Sequence, residues 1–265
     1  VKKLVEKGLD LNWRNLHGET AIYFAARHNS SLGLTLLRLG ADPTLRTNSN
    51  QSVLHQIGIS GNLELLHALC EKGDIKKLVS GEVRSWDGLS PVHLACKYGH
   101  RELVEEFQAA GLNLSLKSWS GGTTLHYSLA HSHFQLALFL IDQNVSVNSR
   151  TYSFGFMLKK PHSAMHILMI WPDVDTNDEL YEKVLQEMVI RRAKIRGCRA
   201  CKAKEPCNLL AAARIPRYYE LRAQLKPNMT KKGSFIGKFK KKKVSSTPTR
   251  GGGGSGRIDD DDDDD

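Results

Sequence analysis

The sequence predicts an all-α architecture, a stack of repeated helix pairs joined by short hairpins, and three observations predict it. A four-residue phrase recurs as Thr20-Ala21-Ile22-Tyr23, Ser52-Val53-Leu54-His55, Ser90-Pro91-Val92-His93 and Thr123-Thr124-Leu125-His126, with a worn fifth copy at Ser163-Ala164-Met165-His166. Its last residue falls at 23, 55, 93, 126 and 166, so the steps are 32, 38, 33 and 40 residues. A leucine-rich stretch at helical spacing follows each of the first four copies. Such periods mark units that bury their apolar faces only by stacking.

Each element has its reason in the residues. Val1 to Asn12 reads as the second half of a unit, as expected of a chain read from inside a longer one. In each phrase the Ser or Thr satisfies free amides where a helix starts. Proline suits the first helical turn, and Pro91 keeps it. Ala21, Val53, Thr124 and Ala164 replace it and give up pre-organisation. Two residues before the Ser or Thr stand Gly18, Asn50, Gly88 and Gly121, types that tolerate positive φ in a tight turn. The second helices follow as Leu34, Leu36 and Leu37; Leu63, Leu65, Leu66 and Leu69; Leu103, Val104 and Phe107; and Leu136, Leu138, Phe139 and Leu140. Small turns such as Gly40-Ala41-Asp42-Pro43 and Gly111-Leu112-Asn113 come next. From 149 to 175 the register is poor, and Asp178 to Lys194 has the spacing of an outer helix closing the stack.

The phrase resembles T-P-L-H-x-A on a period of about 33 residues, the signature of ankyrin repeats, and the resemblance covers residues 1 to 150. It implies an ankyrin-repeat solenoid in which each hairpin finger leads into two antiparallel helices, with the phrase His bonding between units and Tyr23 doing so through its hydroxyl. The expected organisation is half a repeat over 1–13, four repeats over 14–148, and a degenerate terminal repeat with a capping helix over 149–196. A Cys-rich, basic and helical extension covers 197–225, and a disordered tail covers 226–265.

The resemblance also implies a partner-binding face at the finger tips and along the first helices. Carried onto this chain, it offers Leu16, His17, Glu19, Arg27 and His28; Asn48, Ser49, Gln51, Ile59 and Ser60; Trp86, Asp87, Leu89, Lys97 and Tyr98; and Trp119, Ser120, Gly122, Ala130 and His131. Trp86 and Trp119 each lie two residues before a turn Gly, which predicts neighbouring exposed rings beside Tyr98. Exposed aromatic clusters are typical binding anchors. The alternative is that each ring covers its own hairpin.

Charge separates the parts. Residues 1–150 hold 15 basic and 13 acidic groups, so the stack is nearly neutral and need not be a nucleic-acid surface. Residues 226–258 hold 10 basic groups and no acidic one, and 259–265 are seven Asp. In the tail, Phe235, Ile236 and Phe239 interleave with Lys231, Lys232, Lys238, Lys240, Lys241, Lys242 and Lys243. That pattern fits an anionic membrane surface, calmodulin or an import receptor. Gly251 to Gly256 reads as a linker. Five Cys in no dense framework point to a reducing, intracellular compartment, cytoplasm or nucleus. No apolar run reaches the length of a membrane span.

Several constellations invite chemistry. Cys198, Cys201 and Cys207 lack a fourth ligand for a closed zinc site. His131 and His133 are not expected to face each other. Cys96 replaces a core Ala, and Cys70 ends an apolar face, so both are expected buried. Residues 206 to 225 read as a helix packing on the stack or on a partner. No phosphate-cradling loop or nucleophile elbow is present. The expectation is a non-enzymatic scaffold or adaptor with no cofactor or metal. The alternatives are the regulatory repeat region of a larger enzyme or channel, or an inhibitor masking a transcription factor.

Overall fold

The computed structural model describes residues 2–28, 30–73, 78, 83–152, 162–170, 179–191, 193 and 216–224. All lie in the first of the chain's two units, Val1–Pro227; the second is Asn228–Asp265. The expected Lys-rich tail, the Cys198, Cys201 and Cys207 group, the Gly linker and the Asp run lie outside the described residues.

The helices are α1 (Lys2–Val5), α2 (Ala21–His28), α3 (Ser30–Arg38), α4 (Val53–Ser60), α5 (Leu63–Glu71), α6 (Pro91–Tyr98), α7 (Arg101–Ala109), α8 (Thr124–Ala130), α9 (Phe134–Asp142), α10 (Ala164–Ile170) and α11 (Glu179–Ile190). A last helix, α12, spans 216–224. Two isolated bridges, Lys117 to Thr123 and Arg150 to Ser163, are the β pairing among the described residues.

The first helices form a continuous row, each packed on the next from α2 through α4, α6, α8 and α10. Second helices back them: α3 on α2, α5 on α4, α7 on α6 and α9 on α8. The core follows the apolar stripes, with Ile22, Leu54, Val92, Leu125 and Ile167 fully buried in the inner row and Leu65, Leu66, Leu103, Val104 and Leu140 in the outer row. A fully buried Leu of this kind stabilises by about 1.5–3 kcal/mol. The worn fifth copy takes the same place in the stack: α10 packs on α8, and Ser163 Oγ accepts from the His166 amide at 3.4 Å. Helix α11 packs on α9. Helix α12 buries Tyr218 and Leu221, and the Tyr218 hydroxyl donates to the Ala193 carbonyl at 3.0 Å.

The starts of α4, α6 and α8 are capping boxes with His in place of the usual Glu. Cys96 is fully buried, and burial pushes its thiol far up. Cys70 differs from expectation: it is half-buried, because it sits on the flank of α5 beside the Leu65, Leu66 and Leu69 face.

Candidate functional site

The finger turns repeat one backbone pattern. The Gly18, Asn50, Gly88 and Gly121 amides donate to Asn15, Thr47, Ser85 and Ser118 carbonyls at 2.8–2.9 Å. Their φ values are 75°, 60°, 75° and 78°, the left-handed region that glycine and asparagine tolerate. Backbone bonds join the first finger to the second, the second to the third and the fourth to the fifth, and the Arg84 guanidinium donates to Lys117 O between the third and fourth. Asn48 N donates to His17 O at 2.9 Å, Trp86 N to Ser49 O at 3.0 Å and Tyr152 N to Ser120 O at 2.6 Å. The result is a row of tips tied by hydrogen bonds.

The row carries large exposed side chains: Leu16 is 95 % exposed, Trp86 66 %, Trp119 64 % and Tyr152 72 %. Trp119 settles on its neighbour, not on its own hairpin: a Cβ added at Gly88 would lie 2.4 Å from its Cγ. His17, Asp87, Arg27, His28, Tyr98 and His131 are also exposed, while Ile59, Lys97 and Ser120 are half-buried. The Ser85 hydroxyl donates to Asp87. Tyr98 stacks on His100 at 6.4 Å, away from either tryptophan, with Lys97 Nζ 5.7 Å from its ring centre. Glu19, Ser49, Gln51, Ser60 and Leu89 are half-buried and Asn48 is exposed. Two expected groove positions are buried. The Ala130 methyl is too short to leave the core where Arg27 and Lys97 carry long chains, and Gly122 is held inside its turn by Ser118.

The phrase histidines are structural links. His55 Nδ1 accepts from Ser52 N at 3.0 Å, and Nε2 reaches Leu89 O of the next finger at 3.1 Å. His93 repeats this with Ser90 N at 3.1 Å and Leu116 O at 3.0 Å. His126 Nδ1 accepts from Thr123 N at 3.2 Å. Burial lowers His55 and His93 to about 4, against the opposing pull of the carbonyl bonds, and lowers His126 and His166 to about 3. The His55 and His93 rings, neutral and with both nitrogens committed, are poor metal ligands. Tyr23 joins units as its position predicts: its hydroxyl donates to Gln51 and accepts from Gln56.

Two features, the His100 and His133 bonds and an apolar cavity, had no counterpart in the sequence reading, and a third, the stacking of His131 on His133, corrects the expectation that these two do not face each other. His100 Nε2 bonds Ile59 O and His133 Nε2 bonds Lys97 O, each at 3.0 Å, while the rings lie over Gly61 and Gly99. His131 and His133 stack at 6.4 Å, because Ser132 at φ 58° folds the chain back between them. At the other end, Leu9, Leu11, Trp13, Phe24 and Leu32 line an apolar cavity of about 420 Å³. Among the described residues no group of three or more metal-ligating side chains converges, and no helix is long and apolar enough to cross a membrane.

The geometry defines a helical-repeat protein of the interaction class, with a row of fingers in front of paired helices. Residues 54–151 match the family model for ankyrin repeats, in three copies, and this stretch of the chain is built of ankyrin repeats. It is similar to the SH3 and multiple ankyrin repeat domains protein 2 of Homo sapiens, 29% identical over 162 residues, covering 58% of this chain and 8% of the relative. It is also similar to Protein glp-1 of Caenorhabditis elegans, 28% identical over 149 residues, covering 52% and 12%. The NF-kappa-B inhibitor cactus of Drosophila melanogaster is 28% identical over 146 residues, covering 45% and 29%. The chain thus spans less than a third of each of these relatives. Ankyrin repeats are protein-binding elements, typically without catalysis.

Proposed function

We propose that this chain is an intracellular scaffold or adaptor, in cytoplasm or nucleus, that seats a protein partner on its finger row and the exposed face of its first helices. The observation that carries the reading is the pair Trp86 and Trp119, exposed on successive finger tips. Large rings lose little entropy on binding, and such residues dominate interface energetics. Around them Leu16, His17, Arg27, His28, Ile59, Asp87, Lys97, Tyr98, Ser120 and His131 form the polar and apolar surround. The basic segment from Lys231 to Lys243 adds a second contact, to anionic membrane, calmodulin or an import receptor, or sets location.

Affinity capture with the wild type beside Trp86→Ala/Trp119→Ala tests the reading. Loss of the captured partner from the double variant, with unchanged thermal stability, is expected. Equal recovery by both proteins overturns the choice of anchors. A second reading, in which the stack masks a transcription factor, is favoured by the similarity to a protein named as an NF-kappa-B inhibitor. It predicts nuclear–cytoplasmic redistribution of that partner.

A further inference from the structure

The finger row has a period of its own. From Asn48 to Trp86 the path is one residue along the turn, to Ser49, and one hydrogen-bonded crossing to the next finger. One residue spans about 3.8 Å and a hydrogen-bonded crossing about 5 Å, so tips stand at most about 9 Å apart. Neighbouring packed helices stand about 8–10 Å apart, which agrees. Tyr152 occupies the equivalent place in the fifth finger. Its amide bonds Ser120 O as that of Trp86 bonds Ser49 O, and its N faces Gly121 as Asn48 N faces Gly18 and Trp119 N faces Gly88. Three consecutive tips therefore carry Trp86, Trp119 and Tyr152 in one backbone register, all more than half exposed.

Resting on the partner-binding reading above, we propose that this aromatic row is a docking site for a proline-rich segment in the polyproline II conformation. Such a helix has three residues per turn and a rise of about 3.1 Å, so it returns the same face every ~9.3 Å. One proline per turn then meets one ring per finger. An extended strand repeats a face every ~6.7 Å and misses the next tip, and an α-helix repeats one about every seven residues, ~10.5 Å, and runs progressively ahead across three fingers. The hydrogen-bonding chemistry matches as well. A polyproline II segment has solvated carbonyls and makes no internal hydrogen bonds. Trp86 and Trp119 present indole N–H donors and Tyr152 a hydroxyl, none of them engaged by another protein group among the described residues.

The test is titration of the whole chain with a blocked oligoproline of about twelve residues, followed by tryptophan fluorescence and calorimetry. A second peptide carries proline at every third position, and a third has the same composition with its prolines clustered. Saturable binding is expected. Trp86→Ala/Trp119→Ala should weaken it at least tenfold and Tyr152→Ala severalfold, with Tyr152→Phe between wild type and Ala. The every-third peptide should bind several times more tightly than the clustered one. Absence of binding at millimolar peptide, or binding indifferent to the three substitutions or to proline spacing, overturns the proposal. A partner captured through Trp86 and Trp119 that oligoproline fails to displace also overturns it, while leaving the finger-anchor reading intact.

Discussion

The Nε2 of His55 lies 3.1 Å from the carbonyl oxygen of Leu89 in the next finger, while Nδ1 accepts from the amide of Ser52, 3.0 Å away. The ring is thus the neutral Nε2–H tautomer. It caps its own helix and ties it to the following unit. His93 does the same between Ser90 and Leu116. These bonds explain why the phrase ends in His, and the burial of the rings makes the stack sensitive to acid.

Burial holds His55 and His93 at about 4, below the ordinary 6.5, so the unfolded chain binds protons before the folded one does. Their stabilising contribution is whole above pH 6.5 and is lost as pH falls from 6.5 to about 4. By pH 4 the loss is on the order of 3 kcal/mol for each ring. Urea unfolding at pH 7 and pH 4.5 should reveal a steep drop, and His93→Gln, though less stable at pH 7, should show a smaller one. The same drop in the variant would remove His93 as a source of the acid sensitivity.

Much of this was legible in the sequence because one short phrase encodes cap, core and inter-unit bond together. Gly18, Asn50, Gly88 and Gly121 announced the turns, and their register put Trp86 and Trp119 at the tips. His100 and His133 were not legible, since their place in the second unit is taken by Asn62 and no motif repeats. Tyr152 was missed for a related reason. No glycine stands two residues after it, as Gly88 and Gly121 do after Trp86 and Trp119, so its finger had no visible register. Ala130 and Cys70 were misplaced because periodicity assigns a face without saying how far a side chain reaches.

Gly88 and Gly111 separate two effects of adding a methyl group. Both have positive φ, 75° and 94°, so Ala at either costs about 1–2 kcal/mol in backbone strain. A Cβ at Gly111 meets nothing within 4 Å, whereas at Gly88 it lies 2.4 Å from both the Trp119 amide and its ring. Gly88→Ala should therefore lose at least about 1 kcal/mol more than Gly111→Ala, and only Gly88→Ala should shift tryptophan emission. Equal losses with unchanged spectra would mean that Trp119 does not rest on that turn.

Ser132 holds φ 58° at the place where the second and third units have Gly61 and Gly99, at 73° and 80°. A serine pays for that conformation and glycine does not. Ser132→Gly should raise stability by about 1 kcal/mol, read as a higher urea midpoint at constant slope. A lower midpoint would mean that the side chain's own contacts outweigh the relief of strain.

Tyr218 joins α12 to the rest of the stack through two separable contributions. Its ring is 1 % exposed, and its hydroxyl donates to Ala193 O at 3.0 Å. Removing the ring leaves a cavity as well as lost burial, so Tyr218→Ala should cost about 3–5 kcal/mol. Tyr218→Phe keeps the packing and strands one carbonyl, a loss of about 1 kcal/mol. Arg217 pairs with Glu182 and Glu220 on the open surface of the same helix, where water and salt screen the charges. Arg217→Ala should leave the unfolding midpoint unchanged within error. If Tyr218→Ala proved as mild as Arg217→Ala, α12 would be a dispensable appendage, and the seal on this end of the core would have to come from Tyr181, Val184, Leu185 and Met188 of α11 alone.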